Sequence, residues 1–556
     1  MKHTIKYLFY AGLTGAVMAV SCSKKLDEVY ENPNAPKKVP VETLLPSLIG
    51  SLVGSSAAAG SAYGVAGDAL LIGRYIQYWG TYNVNATANV GTQYDQMGGT
   101  TGASDNLGSI WGAHYFGLGQ NLNRMVDWAV EDKRWDFAGA GLALRGWSLL
   151  EATNEYSDMI LKQAFDVNLI TFNYDTQPEV YDSVRAVCYR ALVYLNMTGG
   201  NMGQKFAEAD AYFNGGSIDR WKKFTYGVLV RSFAYLHNKA TYSADSVIKY
   251  ANLSMQTNAD NATCKFANTG ITGTSNYFGS LRSNVNQANT GIRQSAYIAD
   301  LMNGLNAGAF TGAADPRRPY ILRENTNGTY KGTVPGKGAG SLVAADQPQS
   351  FVGTAFGTTG YLNSGEGGRY IFRNAAEFPI MTASEMQFIK AEAVLRKGGD
   401  NATALAAYVN GINLNFDMLK TKYQDFVPAA MQFTPAMQTA YLASPTVTPA
   451  TPAGLTLTHI MLQKYIALYG WGVQETWADM RRYHYNADKD PVSGTVVYAN
   501  FVPPSGTDLF LNNGGKLVYR ARPRYNSEYL YNIPELTRIG ALALDYNTKE
   551  AWFSLK

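Results

Sequence analysis

The residues best suited to chemistry fall in three stretches. The first centres on Cys22, one of only three cysteines in the chain of 556 residues. Lys2 and Lys6 precede a run from Leu8 to Val20 that carries no charge and is broken only by Thr14. The run is shorter than the ~20 apolar residues that span a bilayer, and it fits the apolar region of a secretory signal peptide. Ala19, Val20 and Ser21 before Cys22 look like a lipobox with alanine in place of the usual leucine. An ordinary cleaved signal with an incidental cysteine is the alternative. The chain turns polar at once after Cys22 and no second long apolar segment follows. The expectation is therefore a mature protein anchored through lipid on Cys22 and not threaded through the membrane.

The second stretch is "RYIQYWGTYNVN", Arg74 to Asn85. Sugar recognition needs a flat aromatic face for the axial hydrogens of the ring and amides or guanidinium groups for the hydroxyls. Tyr78, Trp79, Tyr82 and Asn83 supply both within six residues. Positions 75, 78, 79 and 82 also have helical spacing, so a packed stripe competes with the ligand platform. The third stretch is "SNYFGSLR", with Asn276, Tyr277, Phe278 and Arg282. Surface packing or a partner contact are its alternatives.

Signatures of catalysis are missing. There is no H-E-x-x-H, no G-x-x-x-x-G-K-S/T and no G-x-S-x-G. "GKGAG" at Gly336 follows no strand and opens no helix. Beyond His3, the histidines 114, 237, 459 and 484 have no metal-ligand spacing, so no metal or cofactor is expected. Glu385 and Glu392 lie two turns apart on a stretch that reads as scaffold, whereas a glycosidase needs two carboxyls facing across a cleft. Arg481 and Arg482 read as ion-pair partners within the scaffold. A net charge of +4 without a basic stripe gives no argument for nucleic acid. The charged share of 16% is low against a typical ~25%. Thirty-eight tyrosines and nine tryptophans take its place, suiting helix packing, interfaces or sugar rings. Cys188 and Cys264 could pair, but a chain this long needs no disulfide framework.

These groups must be positioned by helices. Trp111, Tyr115, Leu118, Leu122, Met125 and Ala129 have the 4-3-4-3-4 spacing of one helix face. "AGAGLALRGWSLLEATNEYSDM" follows as a second helix whose small residues permit close approach. Val180, Val184, Val187, Ala191 and Tyr194 mark a third face; Trp221, Phe224, Val228 and Tyr235 mark a fourth. "TASEMQFIKAEAVLRKGGDNATALAAYVNGI" reads as helix, Gly-Gly-Asp turn, helix, with Asp400 or Asn401 as cap. "LTHIMLQKYIALYGWGVQETWADMRRY" reads as one last long helical stretch. Helix pairs with small and aromatic packing residues predict an all-α-dominated, tetratricopeptide-like repeat scaffold. Residues 265–373, rich in Gly, Asn, Thr and Ser, show no stable period and predict a long irregular insert. Residues 82–109 and 443–454 read as further irregular regions.

Eight blocks, in order, carry a resemblance. They are "ENPNAPKKVPVETLLPSLI", "IWGAHYFGLGQNLNRMVDWA", "ALRGWSLLEATNEYSDMILKQAF", "YDTQPEVYDSVRAVCYRAL", "RWKKFTYGVLVRSFAYL", "DPRRPY", "EFPIMTASEMQFIKAEAVLRKGG" and "LQKYIALYGWGVQETWADMRRYHY". With the lipobox, they resemble the SusD/RagB family of surface lipoproteins of the Bacteroidetes. "YNIPELTRIGALAL" departs from the family's usual tyrosine-proline segment. The resemblance implies a tetratricopeptide-like scaffold with loops on one face. It implies a cell-surface, outer-membrane location and a SusC-like TonB-dependent transporter as partner, with this chain as its lid. It also implies an oligosaccharide ligand, or a peptide as in some relatives; a surface glycoside hydrolase is a remote alternative. In some relatives an aromatic just after the "RYIQYWG" helix touches the ligand. The expected organisation is a signal peptide at 1–21, a tether at 22–40 and one domain at 41–556. Within that domain the scaffold covers 41–264 and 374–556, and the insert covers 265–373. A tether of ~15 residues at up to ~3.3 Å each reaches tens of ångströms, enough for a hinged lid.

Overall fold

The computed structural model describes residues 38–54, 63–81, 94–101, 104–105, 107–267, 269, 272–279, 291–335, 337–338, 342–352, 368–503 and 509–556. Cys22, Tyr82, Asn83, Arg282 and Gly336 lie outside the described residues.

The chain is dominated by helices packed as successive antiparallel pairs, the tetratricopeptide-like arrangement read from the sequence. Leu45–Val53 (α1) and Val65–Tyr75 (α2) lead to a short strand, Trp79–Thr81 (β1). Two residue pairs, Thr100–Thr101 (β2) and Ser104–Asp105 (β3), form a small hairpin. Next come Ser109–Gly112 (α3), a π-helical turn Ala113–Leu118, and Gly119–Glu131 (α4). The predicted face survives the π turn: Trp111, Leu118, Leu122, Met125 and Ala129 are buried. Tyr115 is partly buried and its hydroxyl donates to Ile160 O at 2.7 Å.

Trp135–Tyr156 (α5) packs along Gln177–Asn196 (α6) as closely as its small residues suggested. A Cβ on Gly146 would lie 2.7 Å from Cys188 Sγ. Thr176 and Glu179 form a reciprocal capping box that starts α6. Ile218–Ala234 (α7) buries Trp221, Phe224 and Val228 and pairs with Ala244–Leu253 (α8). Cys188 and Cys264 are both buried and free, so no disulfide joins them.

The strands Ala262–Cys264 (β4) and Phe378–Met381 (β6) pair antiparallel, Cys264 opposite Phe378. The irregular insert leaves and returns through this pair. Within it lie Ile292–Gln294 (β5) and Ala296–Met302 (α9). Ala383–Lys397 (α10) and Asn401–Tyr423 (α11) form the predicted helix pair. Gly398 ends the first with φ +77°, and Asp400, not Asn401, caps the second by accepting from Thr403 N at 3.0 Å.

The last helical stretch is two helices, Leu457–Ala467 (α12) and Val473–Arg482 (α13). Gly470 at φ +84° turns the chain between them, and no helix propagates through that conformation. The break faces α13 back toward α2, which it contacts.

One buried apolar cluster runs from Val41 to Phe553. Inside it, several charges are paired. Arg231 Nε and Nη2 meet Glu385 Oε1 and Oε2 at 2.7 and 2.8 Å, and its Nη1 lies 3.1 Å from Glu151 and 2.9 Å from Glu475. Arg482 binds Glu392 and Asp479, while Arg481 stacks over Trp477 at 3.8 Å. Glu385 and Glu392 are thus held by scaffold arginines and do not face each other across a cleft. Arg482 forms the ion pairs the sequence indicates, but Arg481 forms none among the described residues: its guanidinium stacks on Trp477 and donates to the carbonyls of Asn154 and Tyr519. These contacts link helices far apart in the chain and fix the frame on which the loops sit.

Candidate ligand-binding site

The two aromatic stretches come together, in a role the sequence only half disclosed. β1 pairs antiparallel with β5, Trp79 opposite Gln294 and Thr81 opposite Ile292. That pairing draws "RYIQYWG" against the insert, and the Trp79 and Phe278 rings lie 5.8 Å apart. The side chains themselves are interior. Tyr78 and Trp79 are 0% exposed, Asn276 and Phe278 0%, and Tyr277 2%.

Each has a packing partner. Tyr78 Oη donates to Tyr465 O and shares a hydrogen bond with Thr476 Oγ1, both at 2.7 Å. Its ring leans on Tyr465 and Tyr469 at 4.6 and 4.9 Å. Trp79 Nε1 donates to Leu70 O at 3.1 Å, and its indole lies so close to α2 that a Cβ on Gly73 would sit 2.4 Å away. Asn276 Nδ2 donates to Ala376 O, and its Oδ1 accepts from Phe278 N, each at 2.9 Å. Phe278 stacks on Phe378 at 5.9 Å with an interplanar angle of 2°. Tyr277 packs edge-on to Phe278 at 5.4 Å. These five side chains offer no face to a ligand. They are interior packing groups, and the packed-stripe alternative holds for Tyr78 and Trp79. The stripe ends sooner than a helix would, because α2 stops at Tyr75.

Helix α2 ends through a left-handed residue, Gln77, at φ +63°, with Tyr78 N donating back to Gly73 O at 2.9 Å. This turn aims Gln77 sideways, where its Nε2 donates to Val502 O at 2.6 Å. There a cleft of ≈ 340 Å³ opens between α9, the Val334–Lys337 segment and residues 500–503. Its inner wall is polar: Asn306 Nδ2 donates to Ala499 O at 2.7 Å, Tyr297 Oη donates to the same carbonyl at 3.2 Å, and Asn500 Oδ1 accepts from Ala307 N at 3.2 Å. Its rim is apolar: Leu305 is 65% exposed, Val334 45% and Val502 70%, with Pro335 and Pro503 beside them.

Asp300 and Lys337 bring one charge of each sign. Burial of the Asp300 carboxyl raises its pKa, against the pull of Lys331. The arrangement suits reversible binding through amides, backbone carbonyls and aliphatic contacts. Sequence reasoning missed these residues because, Gln77 apart, none belongs to an aromatic motif, and the left-handed turn at Gln77 has no sequence signal such as glycine. Tyr82 and Asn83 follow β1 directly in the chain.

Among the described residues no group of His, Cys, Asp and Glu could hold a metal ion, and no helix is long and apolar enough to cross a membrane. The histidines are packing groups: His114 Nδ1 meets Ser148 Oγ at 3.0 Å, and His484 bridges Asp488 and Glu550 at 2.9 and 3.0 Å.

The architecture is a helical-repeat frame with a cleft beside its irregular insert. The chain belongs to the SusD-like family, whose model is described as starch-binding, associating with outer membrane, and matches residues 33–496. Solved structures agree in fold. A SusD homologue from Bacteroides fragilis is 18% identical with a TM-score of 0.65, over 93% of this chain and 100% of that one. A SusD/RagB family protein from Bacteroides thetaiotaomicron gives 18% and 0.66, over 93% and 99%. A chitin-binding SusD homologue from Flavobacterium johnsoniae gives 18% and 0.64, also over 93% and 99%. No individually curated protein matches the chain.

Proposed function

We propose that the protein is a cell-surface lipoprotein that captures a nutrient glycan and delivers it, as a lid, to a SusC-like TonB-dependent transporter in the outer membrane. The observation that carries this reading is the cleft beside β1 and α9. It sits where the insert meets the helical frame, and its size falls within the ~300–1,000 Å³ of small-molecule sites. The family description as starch-binding and the chitin-binding relative support a glycan. Tyr82, Asn83 and Arg282 are retained as candidate contacts on the segments that adjoin the described residues. Lipid on Cys22 supplies the anchor. The role is binding, not catalysis, and needs no cofactor.

The apolar rim of Leu305, Val334 and Val502 favours a second reading, a peptide ligand, because aliphatic side chains complement amino-acid side chains better than sugar hydroxyls. A calorimetric screen of the soluble chain lacking residues 1–22 against oligosaccharides and oligopeptides decides between them. Binding of a glycan alone supports the first reading, binding of peptides alone the second, and binding of neither refutes both. Co-purification of the transporter from outer membranes tests the lid role; its absence under mild detergent would contradict it.

A further inference from the structure

A second cleft, of ≈ 400 Å³, opens elsewhere, between α4, α5, α6 and the chain that follows α5. Arg145 lines it from α5 and Arg190 from α6. Arg145 is held on two sides. Its Nη2 donates to Gly119 O at 2.9 Å and to Asn123 Oδ1 at 2.8 Å. Its guanidinium carbon lies 4.9 Å from the centre of the Phe165 ring. Both supports are unusual. Gly119 follows the π turn Ala113–Leu118, a device that frees backbone groups from helical bonding. Phe165 is held at φ +70°, a conformation that costs a bulky residue ~1–3 kcal/mol.

The arrangement lacks a counter-charge. Among the described residues neither Arg145 nor Arg190 has an ion pair, and Arg145 Nη1 is shielded from solvent without a hydrogen-bond partner. Burial lowers the pKa of Arg145 to about 10. Three fully buried arginines have a carboxylate, Arg231 with Glu385, Arg317 with Asp315 and Arg482 with Glu392, whereas Arg74 and Arg481 are buried without an ion pair among the described residues; half-buried Arg145 differs from those two in lining a cleft. An isolated buried charge is costly, and here a cleft leads to it. The two carboxylates that line the cleft, Asp127 and Asp166, are solvent-exposed.

We propose that this cleft is a second binding site, for a small molecule bearing a carboxylate. The anion sits between Arg145 and Arg190, and the ligand's neutral polar groups face Asp127 and Asp166. A planar carboxylate matches the fork of the exposed Arg190, while Arg145, whose Nη2 is taken by Gly119 O and Asn123 Oδ1, contributes its charge. A dianion such as phosphate is disfavoured by the two carboxylates at the mouth. The site is independent of the glycan cleft beside β1.

The test titrates the detergent-solubilised full-length protein with glucuronate at constant ionic strength, with glucose as the uncharged counterpart and inorganic phosphate as the dianion. Glucuronate is expected to bind and glucose not. Arg145→Gln is expected to weaken glucuronate at least tenfold. Arg190→Gln, at an exposed position that does not endanger folding, is expected to weaken it several-fold with an unchanged melting temperature. Absence of glucuronate binding by the folded wild type at millimolar concentration overturns the proposal. So does equal binding of glucose, tighter binding of phosphate, or glucuronate affinity unaltered in Arg190→Gln.

Discussion

Replacing Trp79 by alanine separates a ligand platform from a core residue. The indole is fully buried, lies against the α2 backbone at Gly73, touches Phe278 and Tyr469, and donates one hydrogen bond to Leu70 O. Truncating a buried tryptophan costs ~3–5 kcal/mol, because the transfer free energy is lost and a cavity remains. The lost indole hydrogen bond to Leu70 O adds ~1 kcal/mol. The cavity would lie beneath the β1–β5 pair, so the local loss should loosen that pair before the distant helices. Thermal unfolding followed by helical circular dichroism should show a clearly lowered midpoint. Trp79→Phe should recover more than half of the loss, since it refills most of the volume. Ligand affinity of the folded Trp79→Phe protein should stay within about twofold of wild type. An unchanged melting temperature for Trp79→Ala, together with lost ligand binding, would refute the assignment of Trp79 to the core.

Three further outcomes follow from the same geometry. Arg231→Met should destabilise by ~3–5 kcal/mol, because it leaves Glu385, Glu151 and Glu475 buried without their cation. Burial already raises the pKa of Glu151 and Glu475, so their protonation should soften the loss at low pH and the melting-temperature deficit should shrink from pH 8 to pH 5; a constant deficit would contradict the charge argument. His484 lies between Asp488 and Glu550, whose hydrogen bonds raise its pKa above the ordinary value. Its stabilisation is fully present below ~6.5 and is lost as pH rises through the folded-state pKa. His484→Gln should therefore lower the melting temperature at pH 5.5 and leave it nearly unchanged at pH 8.5. Cys22→Ala should release the protein from membranes without changing its melting temperature, since among the described residues core packing begins at Val41; retention in the outer membrane of a strain lacking the transporter would contradict lipid anchoring.

The scaffold was legible because helix faces impose periodicity. Trp111 to Ala129 kept its face even through a π turn, and the close-approach glycines of α5 announced the α6 contact. The break at Gly470 escapes the sequence reading because apolar periodicity continues on both sides of "LYGWG". The binding cleft was less legible for a physical reason. Aromatic richness marks burial and binding alike, and at Tyr78, Trp79, Tyr277 and Phe278 burial wins. The cleft depends on the left-handed turn at Gln77 and on the β1–β5 pairing across more than 200 residues. Neither has a local sequence signal. Asn306 and Asn500 likewise become neighbours only through tertiary packing.

The most direct test is calorimetry of the best-bound glycan against wild type and the double variant Leu305→Asp, Val502→Asp. Both side chains are exposed, so the fold should melt at the wild-type temperature. The account predicts at least a tenfold loss of affinity, ~1.4 kcal/mol, as the two new charges line the cleft mouth. Wild-type affinity in the folded double variant would place the nutrient site elsewhere and contradict the account.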